Sequence, residues 1–276
     1  MRAHRSLGDH LVLAVVVLLA AVWVAPAVWI VGLSFKPNDE LMRSTGRLLS
    51  PPFTLKNYAD ILGTSSVFAW MLNSAVVAVG QTVLTLAVAS AAGYGFARTN
   101  FPGKPVLFAL TLVAFAVPEQ AIIVPLHTLF AAADLHNTYS ALILPRLALP
   151  FGVLLMTQYF KAIPAEIEEA ALLDNASRFK VFWRIALPLS VPAQATLGIY
   201  TFLQAWNDYF WPLVSATKPE MYTLTVGLAS MQTNFAQTEG IGFLMAQAVF
   251  AALPILVLYL FFQRHIVTAV AGGAAK

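Results

Sequence analysis

Two ionisable residues stand inside long apolar stretches of this 276-residue chain: Glu119, followed by Gln120, and Arg146. A charge at the centre of a bilayer costs at least about 2.5 kcal/mol, so such groups normally face protein or a wet cavity. Glu119 and Gln120 lie between Pro118 and Pro125, where backbone carbonyls freed by the prolines could line a cavity, and a structural or gating role is expected for both. For Arg146, a salt bridge between helices or snorkelling to the outer interface is weighed against direct contact with a polar solute. The run Trp206, Asn207, Asp208, Tyr209 combines an aromatic face for C–H surfaces with an amide and a carboxylate for hydroxyls, which suits a sugar. The same run would equally close the outer side or anchor at the interface.

Other chemistry is excluded. With no Cys there is no disulfide, no thiolate metal site and no Cys nucleophile. The five His residues show no ligand spacing, so no metal site is expected, and His127 and His136 are simplest as interface residues. Paired carboxylates or His at catalytic spacing are missing from the apolar stretches, which removes an intramembrane enzyme. The GxxxxGK[ST] phosphate loop is also missing, so ATP chemistry would have to come from another chain.

The elements that position these residues are membrane helices. The chain is 59% hydrophobic and 11% charged with mean hydropathy +0.75, whereas an ordinary soluble domain is about 25% charged. Roughly 20 apolar residues cross the hydrocarbon core as a helix. Six segments qualify, at about 11–33, 67–97, 105–132, 139–160, 185–207 and 241–263, forming an all-α polytopic unit that extends over 1–276. The amino-terminal apolar run is too long for a signal-peptide core and is expected to stay as the first helix.

Cytoplasmic loops are enriched in Lys and Arg. With both termini inside, Arg2, Arg5, Arg98, Lys104, Lys161, Arg178, Lys180, Arg184, Arg264 and Lys276 are cytoplasmic. Only Lys36, Arg43, Arg47, Lys56 and Lys218 are then external, so this orientation is preferred. The external segment 36–66 has turn signals at Lys36-Pro37-Asn38-Asp39 and Ser50-Pro51-Pro52.

The internal loop 161–184 predicts a helix-turn-helix elbow. Pro164 fits a first helical position, and Glu166 and Glu168 suit the positive end of the helix dipole. Asn175 stands where the helix should stop in a left-handed residue. Ser177 can cap a second helix running through Phe179, Phe182 and Ile185 to Pro188. Ala170 and Ala171 allow close approach of another protein, and Glu169 offers it a charge. An ordinary interfacial amphipathic loop would have the same spacing.

The run Glu169-Ala170-Ala171-Leu172-Leu173-Asp174-Asn175-Ala176-Ser177, continuing through Phe182, Ile185, Leu187-Pro188 and Pro192, resembles the EAA motif of ATP-binding-cassette importer permeases. Further pieces narrow the resemblance to sugar-importer permeases similar to the smaller membrane subunit of the maltose system. They are Ser34-Phe35-Lys36-Pro37, Asn57-Tyr58, Asn73-Ser74, Tyr94 through Arg98, Phe101-Pro102-Gly103-Lys104, Pro118 with Pro125, Ile163-Pro164, Trp206-Asn207-Asp208 with Pro212-Leu213, and the tail from Arg264 to Lys276. The chain departs from the pattern at Asn175 and Ala269, where that family commonly has Gly.

The resemblance implies a type I importer permease fold with a cytoplasmic coupling helix, in which Glu169, Ala170, Ala171, Asp174, Asn175 and Ala176 meet an ATPase subunit. It also implies a second homologous permease, two copies of the ATPase, an extracytoplasmic sugar-binding protein, and a place in the bacterial plasma membrane. ATP and Mg would sit in the ATPase, with no cofactor on this chain. The competing reading is an ATP-independent channel or proton-coupled carrier that works through Glu119 and Arg146 and leaves the elbow idle.

Overall fold

The computed structural model describes residues 7–37, 51–64, 66–235 and 240–274. Arg2, Arg5, Arg43, Arg47 and Lys276, which enter the expected orientation, lie outside the described residues, as do Asn38, Asp39, Ser50 and the side chain of Arg264. Among the described residues the chain is helical and contains no strand, in line with the all-α class expected from composition. In order the helices are α1 (Leu7–Ser34), α2 (Lys56–Gly63), α3 (Val67–Arg98), α4 (Lys104–Ala116), α5 (Glu119–Ala132), α6 (Tyr139–Ile143), α7 (Pro150–Ala162), α8 (Ala165–Leu173), α9 (Arg178–Val181), α10 (Val191–Trp206), α11 (Phe210–Ser215), α12 (Leu224–Phe235) and α13 (Gly240–Ala274).

Among the described residues, three stretches are single helices long and apolar enough to cross a membrane: His10–Ser34 in α1, all of α3, and Gly240–Val257 in α13. The remaining expected spans are bent pairs, and the crossings rise to six when each pair crosses as one. The pair α4 and α5 bends by 103°, Tyr139–Arg146 and α7 by 49°, and Arg178–Leu189 and α10 by 73°. Proline explains the first two breaks, because it has no N–H to donate and pushes the residue before it out of helical geometry. Val117 before Pro118 has ψ 123°, and Leu149 before Pro150 has ψ 111°. Pro125, by contrast, stays within α5. At the third break, the Leu187 carbonyl accepts from Ser190 Oγ at 2.9 Å and from Gln194 Nε2 at 2.7 Å. Backbone groups opened by the bend are thus satisfied by side chains, which apolar surroundings require.

Packing divides the chain into two compact units, Met1–Val67 with Leu228–Leu256, and Phe68–Gly227 with Val257–Lys276. In the first, α1 exposes its apolar side chains on all sides from His10 to Trp29, a surface suited to lipid rather than water. Its end is tied to α2: Asn57 Nδ2 donates to the carbonyls of Ser34 at 2.8 Å and Lys36 at 3.0 Å, and Ser34 Oγ lies 2.7 Å from the Tyr58 hydroxyl. Two separated pieces of the family pattern, Ser34 to Pro37 and Asn57-Tyr58, are therefore one junction.

The second unit centres on α3, α7 and α10, whose core contains Ala89, Tyr94, Val153, Met156, Phe160 and Leu197. Gly93 lets α3 approach α7, since a Cβ there would lie 2.6 Å from Met156 Cβ and 2.9 Å from the Thr157 backbone nitrogen. At the other end of α3, Asn73 Nδ2 donates to the carbonyls of Glu220 and Tyr222, and Asn73 Oδ1 accepts from the Tyr139 hydroxyl at 2.6 Å. Trp70 Nε1 donates to Pro219 O, and Ser74 Oγ accepts from Leu224 N.

Candidate functional site

The elbow forms where the loop pattern predicts it. Pro164 takes the N-cap of α8 rather than the first helical position, with an extended ψ of 130°. Glu166 is exposed in the first turn, while Glu168 is only 7% exposed. The helix stops because Asn175 adopts φ 56°. Its N–H donates to Leu172 O and the Ala176 N–H donates to Ala171 O, both at 3.1 Å. Those two bonds make a Schellman stop, which satisfies carbonyls the helix would otherwise strand. Asp174 is the exposed C-cap of α8.

Ser177 caps α9 by accepting from Lys180 N at 3.3 Å. The second limb is not a uniform helix: Phe182–Ala186 is a π-turn in which Leu187 N reaches back to Phe182 O. Pro188 lacks the N–H that would close the next turn. Phe182 thereby faces the core, with its ring centroid 5.0 Å from Tyr94.

The tip of the elbow is apolar and open. Leu173 is 86% and Phe179 72% exposed, with Trp183, Glu169 and Ala170 also exposed and Ala171 half-buried. Spacing in the loop offers Glu169, Ala170 and Ala171 to a partner but gives Leu173, Phe179 and Trp183 no such role. Their signal was present as large apolar residues in a loop otherwise rich in charge.

A sequence reading of dipole chemistry alone also missed what Glu168 does. It accepts from the Tyr94 hydroxyl and from Arg98 Nε, each at 2.8 Å, and Arg98 Nη2 donates to the Ile163 carbonyl. Beside this clamp lies a cavity of about 310 Å³ lined by Arg98, Thr99, Asn100, Glu169, Leu172 and Arg178 among others.

Elsewhere in the same unit, Arg146 joins two of the sequence-predicted residues. Its Nη2 lies 2.8 Å from Glu119 Oε2 and its Nη1 lies 2.7 Å from Asp208 Oδ2. All three residues stand at the ends of helical segments, Glu119 at the start of α5, Arg146 closing the 3-10 turn after α6, and Asp208 between α10 and α11. Gln120 lines a small cleft with Glu119 and Arg146. The other predicted residues are not brought there. Trp206 is buried and stacked on Phe202 at 5.8 Å, Asn207 donates to Leu203 O of its own helix, and Tyr209 packs edge-on to Phe210. The His127 and His136 rings lie with centroids 4.4 Å apart, tilted by 35°.

Over residues 84–272 the sequence matches the family described as Binding-protein-dependent transport system inner membrane component. The chain belongs to that family. This inner membrane component is 33% identical over 261 residues to the arabinooligosaccharides transport system permease protein AraQ of Halalkalibacterium halodurans, covering 94% of this chain and 93% of that one. It is 32% identical over 254 residues to the trehalose transport system permease protein SugB of Mycobacterium tuberculosis, covering 91% and 92%.

In fold, the component is similar to a chain of a bacterial ABC transporter involved in import of the acidic polysaccharide alginate, with TM-score 0.80 at 22% identity over 94% of this chain and 98% of that one. A chain of the alginate transporter in complex with an alginate-pentasaccharide-bound periplasmic protein matches with TM-score 0.66 at 14% identity, over 96% and 98%. The protein is thus a multi-pass membrane permease of a binding-protein-dependent ABC importer.

Proposed function

We propose that this permease forms half of the pathway of an ATP-driven sugar importer and is moved through its elbow by a separate ATPase. The observation that carries the coupling role is the open apolar tip of Leu173 and Phe179 beside Glu169, on an elbow rigidly ended at Asn175. Apolar surface exposed at the end of a polar loop suits a protein partner. Glu169, Ala170, Ala171, Asp174, Asn175 and Ala176 form the contact with that partner. The assembly contains a second homologous permease, two ATPase copies that hold ATP and Mg, and an extracytoplasmic sugar-binding protein. Both termini face the cytoplasm of a bacterial plasma membrane.

The sugar class rests on the relatives named for arabinooligosaccharides and trehalose transport. Arg146, with Glu119 and Asp208, serves as a structural pin at the helix breaks, since its guanidinium is already divided between two carboxylates. That arrangement favours the importer over a proton-coupled carrier using Glu119 and Arg146. Gln120, Trp206, Asn207 and Tyr209 remain candidates for the pathway wall.

Detergent extraction and affinity purification of this chain tests the reading. An ATPase should copurify, and its rate should rise when the binding protein is added. Solute uptake by this chain alone in liposomes would overturn the proposal. Mass spectrometry of the solute held by the copurified binding protein identifies the sugar.

A further inference from the structure

The geometry points to α3 as a push-rod that links the elbow to the loop Pro219–Leu224 at its far end, with Tyr94 and Arg98 as positioning residues at the driven joint. This rests on the coupling role proposed for the elbow and adds the route by which its movement leaves it.

At the driven joint, the last turns of α3 hold the elbow at three places. Arg98 donates to Ile163 O, the hinge between α7 and α8, and its Nε pairs with Glu168 on the first limb. Tyr94 donates to the other Glu168 oxygen, and its ring packs on Phe182 of the second limb and on Phe160 of α7. The Arg98 and Glu168 side chains are only 18% and 9% exposed, so separating the pair would leave a largely buried carboxylate and guanidinium unpaired. A joint made of such contacts moves as one piece.

The rod itself is unbroken. Helix α3 runs for 32 residues without proline, whereas the neighbouring pairs bend by 49°, 73° and 103°. A bent pair absorbs a push at its break, and a continuous hydrogen-bonded helix carries it along its axis. Asn73 and Tyr94 are separated by about 32 Å along the helix at 1.5 Å per residue, close to the roughly 30 Å hydrocarbon core. The two joints therefore sit on opposite sides of a bilayer.

The output joint is as closely built. Trp70, Asn73 and Ser74 together bond Pro219 O, Glu220 O, Tyr222 O and Leu224 N. Four backbone anchors within six residues, all held from one helix end, leave this loop little freedom to lag behind it.

This chain has no Cys, so Glu166→Cys on the elbow, away from its apolar tip, and Glu220→Cys on the outer loop, both exposed, accept spin labels once the partner subunits are made Cys-free. In the reconstituted complex of both permeases, ATPase and binding protein, double electron–electron resonance should give one narrow Glu166 to Glu220 distance, unchanged by ATP and Mg. With Tyr94→Phe combined with the charge-free pair Arg98→Met and Glu168→Met, that distribution should at least double in width on adding ATP while the complex still hydrolyses ATP. Arg98→Glu with Glu168→Arg should narrow it again.

A distance that shifts with ATP in the unaltered chain overturns the push-rod, and so does a distribution the clamp variants leave narrow. A further label on the ATPase separates the two ideas. If the Glu166 to ATPase distance never responds to ATP, the coupling role falls and the push-rod with it. If it responds while either overturning result is seen, the push-rod alone falls.

Discussion

The Arg146 guanidinium meets the Asp208 carboxylate at 2.7 Å, and the Asp208 side chain is only 10% exposed whereas Glu119, the other partner of Arg146, is 55% exposed. The two carboxylates should therefore answer differently to mutation. Arg146→Met leaves Asp208 withdrawn and unpaired, which costs about 3–5 kcal/mol. Glu119→Gln removes a solvated pair worth about 0–1 kcal/mol. Thermal unfolding of the purified chain in detergent should show a large loss for Arg146→Met and a small one for Glu119→Gln. Equal losses would contradict the assignment of Arg146 and Asp208 as the pin.

The left-handed turn at Asn175 makes a second prediction. Asn175→Gly meets φ 56° with no Cβ to strain and should leave ATP-dependent uptake by the reconstituted complex intact. Asn175→Val places a β-branched side chain where a left-handed residue already costs about 1–2 kcal/mol, and uptake should fall. Equal uptake by both variants removes the turn as a functional element.

Two glycines on one helix should respond oppositely. Gly93→Ala drives a methyl to 2.6 Å from Met156 Cβ and against the Thr157 backbone, and should destabilise by about 1–3 kcal/mol. Gly95→Ala meets nothing within 4 Å and should stabilise α3 by up to about 1 kcal/mol. Melting temperatures of the two variants, measured side by side, check the close approach of α3 and α7.

Asn73 holds two loop carbonyls and the Tyr139 hydroxyl at once. Asn73→Ala should loosen residues 219–224 by about 1 kcal/mol per lost bond. Hydrogen exchange at Tyr222 to Leu224 should accelerate while that of the α7 core stays at the unaltered rate. An unchanged rate in the loop would show that Trp70 and Ser74 suffice to hold it.

Much of the architecture was legible because it follows from local chemistry. Long charge-free runs identify α1, α3 and α13, since hydrocarbon tolerates only helices that satisfy their own backbone. The elbow was legible from Asn175 and Ser177, whose capping roles depend on residues no more than five positions away. The bends were less legible: Pro118 was a visible weak point, but the break at Pro150 inside the expected span 139–160 was not foreseen, and each angle depends on what the two halves pack against. Pro125, with the same local chemistry as Pro118, bends nothing comparable and remains inside α5.

The amino-acid sequence by itself determined the class of solvent, the charge-free helical crossings, and the stop and restart of the elbow, because each depends on composition or on neighbours within one or two turns. Only the tertiary structure decided that Glu168 is held by Tyr94 and Arg98, that Arg146 is shared by Glu119 and Asp208, and that Trp206 is buried away from them. Those pairings join residues separated by 27 to 74 positions. At such distances a side chain's partner is set by how the helices cross, which no local spacing encodes.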